Sequence, residues 1–292
     1  FLWLLFVVKR FSPSNSHRAF CIINVMLDPA PKAQKNVGNA LELAWNQWTI
    51  RESNLLLEQA RRAGDGERIC AALVQLAHLH FRQGRYHQTQ NMAAEVLRDA
   101  APDSLWRCEA LRMLGNCAAE TGKPDPAEEY YHQAIDLARQ LDYRYGLYKC
   151  LHSLATNVYW PRGQFALCLS AGKEALAQAQ SLDLGEELWF PLSDIGWVYW
   201  VTGQRELANQ VADQMQAVVC PSSLGAGFTD CIRAGQIEPG EGYLEKVLPL
   251  YDQARSIAEA TGDPGLNVEV RLGLCRAYRA VKDLPAALTW AD

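Results

Sequence analysis

The apolar positions of this chain recur at three and four residues, not at two. In "LRMLGNCAAETGKPDPAEEYYHQAIDLARQ" (residues 111–140), Leu111, Leu114 and Ala118 share one helical face. A glycine interrupts at 122, and Ala127, Tyr131, Ala134 and Ala138 then resume the spacing. Residues three or four apart on a helix lie together, so the pattern predicts two amphipathic helices. The glycine between them supplies the left-handed turn that ends the first helix. No strand-like alternation of useful length appears anywhere.

The same design returns along the chain. "LAHLHFRQGRY" (Leu76–Tyr86), "LGNCAAETGKP" (Leu114–Pro124), "LATNVYWPRGQF" (Leu154–Phe165) and "IGWVYWVTGQR" (Ile195–Arg205) each set a large aliphatic before a small residue and close on Gly. The turns fall at Gly84, Gly122, Gly163, Gly203 and Gly242, and then at Lys282 inside "LCRAYRAVKDLPAAL", in steps of 38, 41, 40, 39 and 40. An earlier, weaker unit is "ALELAWNQWTIRESNLLLEQARRAGD", giving six or seven units over residues 35–292. Gly64-Asp65 and Gly262-Asp263 stop second helices, and Pro102, Pro191 and Pro264 mark unit boundaries. The third unit carries one extra residue, which the spacing puts near Pro161. Periodic helix pairs of this length imply a stacked, quasi-one-dimensional array.

These residues resemble the tetratricopeptide repeat. Its order of aliphatic, Gly/Ala, Tyr, Gly and Ala matches Ile195, Gly196, Tyr199, Gly203 and Ala208; Leu114, Gly115, Gly122, Ala127, Tyr131 and Ala134 match it again. The step near 40 resembles the longer, MalT-like variety found in bacterial regulators. Armadillo and HEAT arrays share the step but not this turn pattern. The resemblance implies an all-α fold, a right-handed superhelical solenoid of antiparallel helix pairs. It also implies that certain first-helix positions line the inner wall. Carried over unit by unit, these are His78, Phe81 and Arg82; Arg112 and Asn116; Asn157 and Trp160; Asp194, Trp197 and Trp200; Arg276 and Arg279. Ile195 and Tyr199 belong instead to the core, with Gly196 admitting the paired helix. Trp197 and Trp200 have two readings. They either meet a partner, for which Trp and Arg are the most effective anchors, or pack against the neighbouring unit.

Composition narrows the function. The formal net charge is −5, with no run of Lys/Arg able to neutralise a phosphate backbone, which argues against nucleic acid. Nine cysteines, an odd number without a C-x-x-C, suit reduced thiols filling gaps between helices and a cytoplasmic setting. The opening "FLWLLFVV" is eight residues, about 12 Å as helix, where a bilayer needs ~20 residues. It reads as a leader or mis-included stretch within residues 1–34, with a start at Met26, or as the tail of a longer membrane helix ending at Lys9-Arg10.

No catalytic or cofactor motif holds up. "ETGKP" (Glu120–Pro124) has Cys117 where a phosphate loop needs Gly, and Pro124 where it needs a hydroxyl. His78, His80 and His87 diverge on a helix and across a turn, so no metal site is expected. Glu128-Glu129 and Glu186-Glu187 are adjacent carboxylates that point apart. The expected function is therefore non-enzymatic and cofactor-free, with a peptide or partner helix bound along the concave groove. The alternative is the sensor region of a larger bacterial signalling protein or transcription regulator, its output domain outside these residues. "AALTWAD" stops within a second helix without a polar cap, so a longer protein or self-association through that end is also expected.

Overall fold

The computed structural model describes residues 38–291, with side chains from Thr49 onward. The chain divides into residues 1–51 and residues 52–292, and the repeat array lies in the second. The readings made on residues 1–34 fall outside the described residues.

Helix α1 (Gly38–Ala63) comes first, and twelve more follow as six pairs. These are α2 (Gly66–Arg82) with α3 (Tyr86–Asp99), α4 (Leu105–Glu120) with α5 (Pro124–Gln140), and α6 (Arg144–Leu154) with α7 (Phe165–Ser181). Then come α8 (Trp189–Val201) with α9 (Arg205–Val218), α10 (Leu224–Gln236) with α11 (Tyr243–Thr261), and α12 (Pro264–Ala280) with α13 (Leu284–Thr289). Among the described residues there is no strand. The six units are thus present as solenoid pairs. The weaker seventh is a single long helix, α1, with no turn inside it.

The turns explain why the spacing was readable. Gly84, Gly122, Gly163 and Gly203 all adopt φ between 67° and 76°. The next residue's N–H then reaches back to the carbonyl five residues earlier: Arg85 to His80 at 2.9 Å, Lys123 to Ala118 at 2.8 Å, Gln164 to Tyr159 at 2.9 Å and Gln204 to Tyr199 at 2.8 Å. This bond satisfies a carbonyl that the helix end would leave open. Asp283 makes the same bond to Tyr278 at 3.0 Å, with Lys282 at φ 64° in the glycine position. A side chain there costs roughly 1–2 kcal/mol against the following carbonyl. Lys282→Gly is therefore expected to stabilise the last pair by about 1 kcal/mol, after the extra chain entropy of glycine is subtracted. Slower amide exchange across α13 would show it; unchanged or faster exchange would contradict it.

Two units depart from the count. In the fifth, α10 closes at Gln236 with Ile237 extended, and a longer loop, "IEPGEG", intervenes. Gly242, at φ 66°, precedes α11 and does not close α10. In the third, the extra residue lies not at Pro161 but within the helix. Residues Ala155–Tyr159 form a π-helical turn continuing α6, and the Trp160 N–H bonds to the Ala155 carbonyl at 2.9 Å. A single inserted residue is commonly absorbed as one wide turn, which keeps the helix running.

Packing follows the small positions. Ala127, Tyr131, Ala134 and Ala138 of α5 are fully buried, and a Cβ on Gly115 would come within 2.7 Å of the Tyr131 ring. Gly196 brings Val211 of α9 and Ile232 of α10 within 3.3 and 3.1 Å of its Cβ position, and Ile195 and Tyr199 are buried as expected. Of the eight described cysteines, all free, six are buried between helices. In the last pair, Val268 and Leu272 of α12 and Leu284 and Leu288 of α13 are exposed.

Candidate interaction surface

The first helices α2, α4, α6, α8, α10 and α12 pack on one another from unit to unit, while each second helix packs mainly on first helices. The first helices thus form one continuous row, the row that the sequence reading assigns to the inner wall. Every position carried over in the sequence reading lies on that row, and the structure ties most of them together in three clusters.

The first cluster joins three units. Glu109 of α4 is fully buried. Its Oε2 accepts from Arg112 Nη2 at 2.6 Å and Nε at 3.1 Å, and its Oε1 accepts from the Tyr143 hydroxyl at 2.9 Å. His78 of α2 sits against the same pair, with Nε2 3.0 Å from Arg112 Nη2 and 3.8 Å from Glu109. Burial opposes charge on Glu109, yet Arg112 and His78 together hold its carboxyl well below the usual range. Burial likewise opposes charge on Arg112, and Glu109 outweighs it. Burial, with Arg112 adding to it, keeps His78 below the ordinary imidazole value. Arg112 is thus buried and committed inside the protein, although His78 keeps a third of its side chain in solvent.

The second cluster runs from the second to the fourth unit. The Tyr131 hydroxyl donates to Asn116 Oδ1 at 2.7 Å and accepts from Asn157 Nδ2 at 2.9 Å. Asn116 is buried and Asn157 half-buried. One repeat further, His152 Nδ1 lies 2.7 Å from Asp194 Oδ2, and the Thr156 hydroxyl is 3.0 Å from Asp194 Oδ1. Asp194 is buried, whereas His152, Thr156, Asn157 and Trp160 form a partly to fully exposed stripe on α6 and its π turn. Below them Lys149 pairs with Glu187 at 3.3 Å and stands 4.9 Å from the Phe190 ring centre.

The third cluster is aromatic. Trp197 and Trp200 of α8 meet edge to face at 5.1 Å. Trp200 donates its indole N–H to the Gly235 carbonyl of α10 at 2.9 Å, and Arg276 of α12 lies 5.1 Å from its ring centre. Trp200 therefore performs the neighbour-packing role, and Trp197 stays half-buried beside it. Elsewhere Trp160 contacts Phe165 at 5.6 Å and Phe81 contacts Tyr86 at 5.5 Å. Arg82, Arg276 and Arg279 are exposed.

The sequence reading missed Glu109, Tyr143, Lys149 and His152. The rhythm did not mark His152: it lies 42 residues before Asp194, where the step between these units is 40 and points to Leu154.

Comparison with known proteins agrees with this architecture. Residues 68–140 match the model of the tetratricopeptide repeat. Similar solved structures include the Rap protein complexed with competence and sporulation factor, 12% identical over 84% of this chain and 70% of that one, with a TM-score of 0.57. Aspartyl phosphate phosphatase F from Bacillus subtilis is 16% identical over 98% and 89%, with a TM-score of 0.54. BtubC (BKLC) from P. vanneervenii is 18% identical over 82% and 92%, with a TM-score of 0.50. At these identities the likeness is one of fold. No curated protein matches the sequence significantly. Among the described residues, no helix is long and apolar enough to cross a membrane.

Proposed function

We propose that this chain, whose residues 68–140 match the tetratricopeptide repeat model, is a non-enzymatic scaffold whose inner wall holds an extended peptide or a helix of a partner protein. The observation that carries this reading is the half-buried Trp197, fixed edge-on by a Trp200 that is itself locked to Gly235 and Arg276. An aromatic ring held in place loses little freedom when a partner covers it, which is what makes a binding anchor effective. The repeat fold supports the reading, as does the complex with competence and sporulation factor named for the Rap structure, a protein similar in fold. The step near forty residues supports the long-repeat MalT-like reading.

The test is selection of a random dodecapeptide library on the full chain, followed by titration of the selected peptides against variants. Trp197→Ala is expected to weaken them about thirtyfold, ~2 kcal/mol, with helical content retained. Leu207→Ala, an exposed second-helix position, is expected to leave affinity intact. Peptides that bind Trp197→Ala as tightly as the parent would refute the groove.

A further inference from the structure

The inner wall between α6 and α8 presents a histidine whose hydrogen-bonding role is set in advance. Asp194 Oδ2 lies 2.7 Å from His152 Nδ1, and a carboxylate can only accept, so the ring proton sits on Nδ1. Thr156 places its hydroxyl 3.0 Å from the other carboxylate oxygen and 3.0 Å from the His152 carbonyl. Phe190 meets the imidazole at 5.3 Å in an edge contact and limits its rotation. Asp194 is 7% exposed while the His152 side chain is 20% exposed. The carboxylate is thus buried, while the imidazole keeps a fifth of its side chain in solvent. In the neutral ring Nε2 then carries the lone pair, and it has no partner among the described residues.

We propose that His152 Nε2 is the acceptor that receives a backbone amide N–H of the bound segment, with Asp194 as its positioning residue. The argument rests on the scaffold reading above. The ligand class follows from what stands beside the ring. The nearby charges are already taken, Lys149 by Glu187 at 3.3 Å and Asp194 by His152 and Thr156. Asn157 spends an amide proton on Tyr131 at 2.9 Å, which leaves its carbonyl as a second neutral acceptor. Two neutral acceptors carried by α6 and its π turn suit peptide N–H groups. They do not suit a charged head, which would need an opposite charge not already paired. A fixed tautomer also removes the cost of reorganising the ring on binding.

The experiment uses the tightest library dodecapeptide as probe, remade as a series with one amide N-methylated at a time. One position is expected to cost at least tenfold in affinity for the parent chain and no more than twofold for His152→Ala. Nitrogen-15 NMR of the free chain is expected to show the His152 proton on Nδ1. Should every N-methyl cost be the same in the parent and in His152→Ala, the inference fails while the scaffold reading stands. A proton found on Nε2 overturns it as well. If no dodecapeptide binds the parent chain, both readings fall together.

Discussion

Glu109→Gln is expected to destabilise the chain by about 3–5 kcal/mol, the largest effect of any single change considered. The substitution is nearly isosteric, so the loss is not one of volume. It removes the charge that holds a buried guanidinium: Arg112 would stay inside the protein, with His78 beside it and no anion against it. The Tyr143 hydroxyl would still find an amide oxygen, which makes the charge itself the variable. Urea denaturation should show the midpoint falling with little change in slope. In the double variant Glu109→Gln/Arg112→Met most of the loss should return, because a packed apolar side chain avoids the desolvation that the orphaned cation suffers. A change below 1 kcal/mol for Glu109→Gln alone would contradict this account of the cluster.

The same group predicts an acid limb. Its folded carboxyl titrates far below the unfolded one, so its contribution is complete above the unfolded value, roughly 4.3, and is lost as pH falls toward the folded value. Parent stability should therefore decline below about pH 5, and the decline should be shallower in Glu109→Gln.

Asp230 carries the opposite sign. It is 4% exposed in α10, and its Oδ2 has no hydrogen-bond partner. Burial pushes its carboxyl up to about 6, with Arg233 opposing. A raised folded value means that the folded chain holds the proton more tightly. The stabilising contribution is complete below the unfolded value near 3.9 and is lost as pH rises through about 6. Above that the folded chain carries a buried anion, at a cost of roughly 2–3 kcal/mol by the usual conversion of about 1.4 kcal/mol per pH unit. Asp230→Asn should accordingly be stabilising by about that amount at pH 8 and close to neutral at pH 4. Melts at the two pH values decide it: an equal effect at both would mean that the carboxyl is solvated.

The unit length was legible because the turn chemistry is local. Gly84, Gly122, Gly163 and Gly203 each have to adopt a positive φ, and Lys282 was recognisable as their substitute from the surrounding "AYRAVKD" alone. Gly242 shows the limit of counting. It falls on the rhythm and has the right φ, but it opens α11 after a lengthened loop. The positions that the repeat resemblance carried over fall on the first helices, but their exposure could not be read in advance. Arg112 and Asn116 stand in the same row as Trp197, yet partners from the preceding and following parts of the stack enclose them. Such enclosure depends on pairs 34 to 42 residues apart, as in His78–Arg112 and His152–Asp194, and one helix's periodicity is silent about those. The aromatic pair likewise divided its roles only in three dimensions, through Gly235, which has no side chain to keep Trp200 away.

The wide turn at Ala155–Tyr159 changes how the array can diversify. An added residue in a connecting loop leaves both flanking helices presenting the same sides. Placed within a helix and taken up as one wide turn, it leaves the residues on either side on the faces they held. Thr156 and Asn157 can thereby both look inward, one toward Asp194 and one toward Tyr131, although they are sequence neighbours. A uniform stack thus acquires one unit with an additional inward-directed side chain, while the turn that follows it keeps the bond of the other units.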